Sequence, residues 1–161
     1  MGLISKLLLP KLLKRAENGD VGTQCYLGQL YWQGKEVPKD YNEALKWFRL
    51  AAGQGHAEAQ LALSSVYYHG EGLPQDYRES VKWLRLAAEQ GNATAQFQLG
   101  CAYALGEGIS KDYSQAYALF SLAATRGNAQ AAAMLPEVQS RMSSVELSLG
   151  QRAFQEYARA W

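Results

Sequence analysis

Apolar residues along this chain recur every three to four positions in runs separated by short breaks rich in Gly, Asp, Asn and Pro, the signature of successive amphipathic helices. The runs come in pairs. The first spans about Val21 to Gln33 and directs Leu27, Leu30 and Tyr31 toward a core, with Gly28 allowing a neighbour to approach closely. Its partner spans about Tyr41 to Ala52 and buries Ala44, Phe48, Ala51 and Ala52. The pair then repeats. Gly19, Gly55, Gly91 and Gly127 fall 36 residues apart, and the same step links Leu27, Leu63 and Leu99, then Tyr31, Tyr67 and Tyr103, then Ala52, Ala88 and Ala124. Trp47 and Trp83 share one position of the second helix, Leu119 replaces them in the third repeat, and all three read as core.

The breaks carry matching chemistry. Asp40, Asp76 and Asp112 each precede a second helix and are followed three residues later by Glu43, Glu79 and Gln115, a capping-box arrangement. The 36-step glycines suit the left-handed position that ends a helix, and Asp20, Asn92 and Asn128 directly after them can cap the next one. His56 holds the remaining place and reads as a structural cap. Glu36 stands where the later repeats have Gly72 and Gly108, so the first loop should turn differently. Pro136 should kink or shorten the helix that follows Asn128, because proline deletes one intrahelical hydrogen bond.

Composition narrows the function. With 48% hydrophobic and 19% charged residues among 161, the chain can bury one continuous core, and a net charge of +1 offers no field to recruit nucleic acid or anionic lipid. Leu3 to Leu13 is apolar but interrupted by Lys6, Pro10 and Lys11, a poor signal peptide. No run approaches the roughly twenty apolar residues of a spanning helix. Lys6 also breaks the myristoylation pattern that Gly2 would begin. A cytoplasmic chain is expected, with the periplasm or secretion as the alternative for a chain made with a leader. Cys25 and Cys101 lie at non-equivalent positions of non-neighbouring repeats and read as small helix residues rather than a disulfide.

Candidate chemistry is sparse. His56 and His69 are the only histidines, no His-Glu-x-x-His pattern occurs, and no cysteine pair has zinc spacing, so neither metal nor cofactor is expected. The Gly-Glu-Gly loops at Gly70 and Gly106 lack the preceding strand and following lysine of a phosphate cradle. No acid, base and nucleophile constellation assembles, and the chain is not expected to be an enzyme.

Phe97-Gln98-Leu99-Gly100-Cys101-Ala102-Tyr103, the loop Gly106-Glu107-Gly108-Ile109, Asp112-Tyr113 and the closing Ala123-Ala124 resemble the Sel1-like repeat family. The resemblance implies an all-α fold, a right-handed α-solenoid of antiparallel helix pairs with 36-residue repeats. It divides one repeat domain into an N-terminal capping helix (1–18), repeats at 19–54, 55–90 and 91–126, a partial fourth repeat (127–142) and a C-terminal capping helix (143–161). In the partial repeat and beyond, Ser143 and Glu146 form another capping-box pair.

Superposing the first helices on those of the related tetratricopeptide repeats implies a concave binding face. It selects Cys25, Gln29, Trp32 and Gln33; Leu61, Ser65, Tyr68 and His69; and Phe97, Cys101, Ala104 and Leu105. These lie at i, i+4, i+7 and i+8, and they change identity between repeats while the core positions recur. Two readings stand: anchors for a partner, or aromatics packed between adjacent first helices. None of the twelve is Lys or Arg, which disfavours a carboxylate or phosphate clamp. The function implied is a non-catalytic adaptor or scaffold that binds another protein or peptide, with no nucleic acid, membrane insertion or small-molecule substrate. An immunity protein against a bacterial toxin is the alternative, and a small enzyme a distant one.

Overall fold

The computed structural model describes residues 8–161, and among these every regular element is an α-helix. In chain order they are α1 (Leu8–Glu17), α2 (Val21–Gln33), α3 (Tyr41–Gly53), α4 (Ala57–His69), α5 (Tyr77–Glu89), α6 (Ala93–Leu105), α7 (Tyr113–Thr125), α8 (Ala129–Ser140) and α9 (Ser144–Ala160). The chain forms two compact units that meet in sequence at Gln75 and Asp76, the first ending with α4 and the second holding α5 to α9. Residues 1–7 of the expected N-terminal cap lie outside the described residues.

Helix starts follow from short polar side chains. The carboxylate of Asp40 accepts from the backbone N–H groups of Asn42 and Glu43, and Asp76 and Asp112 repeat this at α5 and α7. The reciprocal half of the expected capping box does not form there. The Asp40 and Asp112 N–H groups are already donated to the carbonyls of Tyr31 and Tyr103, at 3.0 Å each. Glu43 instead accepts from Lys46 Nζ and Trp47 Nε1, and Glu79 pairs with Lys82. Among the described residues the full box closes only at α9, with Ser143 and Glu146 each satisfying the other's backbone N–H. Asp20, Asn92 and Asn128 cap α2, α6 and α8. Arg15 and the Thr23 amide and hydroxyl hold the Asp20 carboxyl near pKa 2, with the contacts to Thr23 the larger cause. His56, at the start of α4, makes no side-chain cap bond.

The turns need glycine where the backbone turns left-handed. Gly55 and its 36-step equivalents have φ between 85° and 92°, and the loops after the first helices use Gly34, Gly70 and Gly106. Gly72 and Gly108 add a second positive φ in their loops, while Glu36 does not, so the first loop does turn differently. α8 runs on through Pro136 and closes after 12 residues, one fewer than α2, α4 and α6.

In the first unit, α2 packs on α1 and α3, and α3 on α4. Ala16, Leu27, Leu30, Val37 and Trp47 form a core flanked by Leu9, Leu12, Leu13 and Tyr31. Gly28 touches the Phe48 ring so closely that an added Cβ would lie 2.5 Å from it. In the second unit, α7 is the central element, packed by α6, α8 and α9 around Ala116, Phe120, Ala123, Ala131 and Val138. Gly100 stands against Phe120 as Gly28 does against Phe48. α9 lies along α7 with Gly150 at the contact, and Tyr157 hydrogen bonds Gln115. Trp47 is core as expected, but Trp83 is only half-buried. Its Nε1 is buried without a partner among the described residues, whereas Trp47 Nε1 donates to Glu43.

One recurring bond was not anticipated. Gln24, Gln60 and Gln96 are buried, and each donates its amide to a carbonyl eight residues back, at Ala16 (2.9 Å), Ala52 (3.1 Å) and Ala88 (2.9 Å). Those carbonyls lie in the last turn of the preceding helix and also accept from the backbone N–H groups of Gly19, Gly55 and Gly91, at 3.0 Å each. The side chain is therefore a second donor to each carbonyl, and it pins each first helix to the end of the helix before it. Gln60→Leu, which keeps the volume and removes one of the two donors to Ala52, should lower stability by about 1 kcal/mol in urea unfolding. His56→Asn installs the capping residue found at positions 92 and 128 and should raise stability by about 1 kcal/mol in chelator-treated protein, read the same way.

Candidate functional site

The first helices turn one edge toward their second helix and leave another edge open. In the first unit that open edge forms a cavity of about 200 Å³, walled by Gln29, Trp32 and Gln33 of α2 and by Ala62, Ser65, Val66 and His69 of α4, with Phe48 of α3 as its floor and Glu71 at the rim. Trp32 is half-buried. Its indole meets Tyr41 edge-on at 4.8 Å and tilts over Phe48 at 6.3 Å, so the rest of the fold holds its orientation.

The second unit builds the same cavity again, at about 170 Å³. Cys101, Ala104 and Leu105 of α6, together with Met134, Glu137, Val138 and Arg141 of α8 and its C-terminal cap, stand 72 residues after their counterparts in the first cavity. Phe120 replaces Phe48 as the floor. Lys111 and Tyr113 complete the lining. The backbone frame is thus a property of the repeat, and the lining is not. Indole, amide, hydroxyl and imidazole surround the first cavity, whereas aliphatic and sulfur groups with two cations surround the second.

Those cations, Lys111 and Arg141, stand outside the twelve positions named from sequence, none of which is Lys or Arg. Lys111 Nζ sits 4.8 Å from the centre of the Tyr113 ring. Lys111 and then Arg141 hydrogen bond the phenol oxygen and draw its pKa below the usual tyrosine value, and the same contact raises that of Arg141. Glu137 pairs with Arg141 at 3.0 Å, leaving the cavity with two positive charges against one negative. Arg141 falls in the partial fourth repeat at the position of His69, and Lys111 in a loop, so a search confined to three first helices passes over both. Continuing the 36-residue register past Leu105 reaches Arg141.

Of the residues singled out from sequence, Gln29, Trp32, Gln33, Ser65 and His69 come together at the first cavity, and Cys101 and Leu105 with Ala104 at the second. Leu61, Tyr68 and Phe97 line neither. Phe97 packs 5.7 Å from Phe120 beside the core of its unit, and Tyr68 is exposed with His69 edge-on to its ring. Cys25 is buried rather than open on the face.

The structure also gathers residues that the sequence keeps apart. The ligating atoms of Cys25, His56 and Glu58 lie within 4.8 Å of one another. Burial, and then the charge of Glu58, pushes the Cys25 thiol up to about 11. Cys101 is raised to about 11 by burial and then by Glu107. Both cysteines are free.

Three consecutive Sel1 repeats match the chain, at residues 23–56, 57–92 and 93–128. The chain belongs to the Sel1 repeat family. Proteins of this family generally mediate protein–protein interactions, and no enzymatic family is indicated. The all-α solenoid class read from the sequence is the class of its structural neighbours. A protective antigen of uropathogenic Escherichia coli with a Sel1-like repeat fold superposes with a TM-score of 0.87 at 32% identity, over 96% of this chain and 33% of that one. A Sel1 repeat protein from Oxalobacter formigenes gives 0.75 at 35% identity, over 80% of this chain and 97% of that one. The secretory immunoglobulin A-binding protein EsiB of E. coli O6:H1 is 44% identical over 43 residues, which are 27% of this chain and 9% of EsiB. The Sel1 chain thus spans about a third of the antigen's length and matches a much smaller share of EsiB. No helix among the described residues is long and apolar enough to cross a membrane.

With both thiols raised to about 11, little thiolate is present near neutrality. Iodoacetamide at pH 7.5 should label Cys25 and Cys101 far more slowly in the native chain than in urea, as read by mass spectrometry. Native labelling as fast as in urea would contradict the burial assigned to them.

Proposed function

We propose that this Sel1 repeat chain is a non-catalytic adaptor or scaffold, and that the open edges of its first helices seat side chains of a partner protein or extended peptide. The observation that carries this reading is the recurrence of one cavity, in the same frame 72 residues on, with a different lining. Eight lining positions recur in the two cavities, and six of them change chemistry while the Phe48/Phe120 floor and the Val66/Val138 wall stay the same, as expected of a fixed frame with a variable contact surface. Each cavity suits one side chain: the first an aromatic or amide group that can lie against Trp32 and hydrogen bond Gln29, Gln33 or Ser65, the second an apolar group beside an acid that meets Lys111 and Arg141. The name of EsiB, which records binding of an immunoglobulin, agrees with a protein as the partner class.

The reading is tested at exposed positions, where substitution leaves the core untouched. Gln29→Arg fills the first cavity, and Leu105→Glu, at a side chain 63% exposed, sets an acid against the second. Partners captured from bacterial cells by the wild-type chain should bind at least about tenfold more weakly to each variant, a loss of about 1.4 kcal/mol, with helical circular dichroism unchanged. Folded variants that keep every partner at wild-type affinity would remove the cavities as the recognition surface.

A further inference from the structure

We propose that Cys25, His56 and Glu58 form a metal site of the zinc class, holding a borderline divalent ion through a thiolate, an imidazole nitrogen and a carboxylate, with the fourth position open. Cys25 comes from the second turn of α2, His56 is the N-cap of α4, and Glu58 lies in the first turn of α4. Their ligating atoms already lie within 4.8 Å of one another. A tetrahedral zinc ion with bonds of about 2.0–2.3 Å sets its ligands roughly 3.4–3.6 Å apart, so the site closes by about an ångström. Glu58 is exposed and has the rotamer freedom to supply that movement.

A second, independent observation concerns His56. The equivalent positions before α2, α6 and α8 hold Asp20, Asn92 and Asn128, and each of those side chains caps its helix. His56 caps nothing, and its Nδ1 is buried without a hydrogen-bond partner among the described residues. A residue that gives up the cap bond and leaves a buried nitrogen unsatisfied is poorly explained as structure. Coordination accounts for both features.

The donor set selects the ion. Thiolate and imidazole disfavour calcium and magnesium, which take oxygen ligands, and favour zinc or cobalt(II). Cys25 and Glu58 together supply two negative charges, which neutralise a dication and remove the mutual repulsion they would otherwise suffer. As the ion binds, the Cys25 S–H bond breaks, sulfur keeps the electron pair for the metal, and the proton passes to the buffer. The Gln29 amide lies 4.0 Å from Cys25 Sγ, so the ion would tie α2 to α4 directly beside the first cavity. Metal binding is measured without any partner and does not depend on the cavities' role.

Cobalt(II) and zinc titrations of the full chain test the site. Cobalt should bind one per chain with tetrahedral visible bands and a near-ultraviolet thiolate-to-cobalt charge-transfer band, and zinc should displace it. Calorimetry in buffers of different protonation enthalpy should report one proton released per zinc. Cys25→Ala should abolish the charge-transfer band. His56→Asn restores the capping residue used elsewhere in the chain, so it keeps the fold while losing a ligand. It should weaken zinc binding beyond the roughly tenfold to hundredfold that losing a ligand's outer hydrogen-bond partner costs. Cys101→Ala should bind as wild type. The proposal is overturned if no charge-transfer band appears, if Cys25→Ala or His56→Asn binds as tightly as wild type, or if Cys101→Ala removes the signal.

Discussion

Three junctions in this chain, those before α2, α4 and α6, rest on a buried glutamine that donates to a carbonyl in the last turn of the helix before it, while Ala132 holds the equivalent position before α8. A helix end leaves acceptors that nothing inside the helix can satisfy, and a left-handed glycine turn folds the next helix directly over them, where water is excluded. Each such carbonyl accepts one backbone N–H, from Gly19, Gly55 or Gly91 at 3.0 Å, and keeps a second lone pair facing the next helix. Gln24, Gln60 and Gln96 supply the second donor. In the first unit the arrangement extends further, since Gln54 donates to the remaining oxygen of Gln24 at 2.7 Å. Arg126 stands at the position equivalent to Gln54 in the last repeat, and Gln96 Oε1 has no partner among the described residues.

With the junctions pinned, the first helices have two edges with separate duties. The edge through Leu27, Leu63 and Leu99 is committed to the core and keeps its identity. The other edge opens over an aromatic floor that Gly28 and Gly100 draw close, and its residues differ between repeats although some, such as Trp32 over Phe48, also pack on that floor. This separation explains why Trp32 and Ala104, or His69 and Arg141, can occupy equivalent places in one frame.

Much of the fold is legible in the sequence because its rules are local. Helix limits follow from the caps Asp20, Asp40 and Asn92 and from glycines that must adopt positive φ, and the start and end of α2 are read to the residue. What escapes is set by competition or by distance along the chain. Glu43 sits at capping-box spacing yet turns to Lys46 and Trp47, because the N–H it would accept from is already spent on Tyr31. Gln96 looks like an ordinary polar helix residue until its burial reveals the carbonyl beneath it. The face positions are found by register, but whether each opens to solvent depends on the neighbouring helix, which is why Phe97 turns inward beside Phe120 while Leu105 does not. Cys25, His56 and Glu58 share no sequence spacing that marks ligands, and only the fold brings their ligating atoms within 4.8 Å of one another.

The glutamine joint bears on how such chains change over generations. Because donor and acceptor lie eight residues apart across one turn, each joint travels intact with its own short stretch of DNA. Duplicating or deleting a 36-residue segment therefore moves a complete joint and strands no polar group at the seam. The number of repeats becomes a quantity that unequal recombination can adjust freely, while the character of each cavity is left to point mutation.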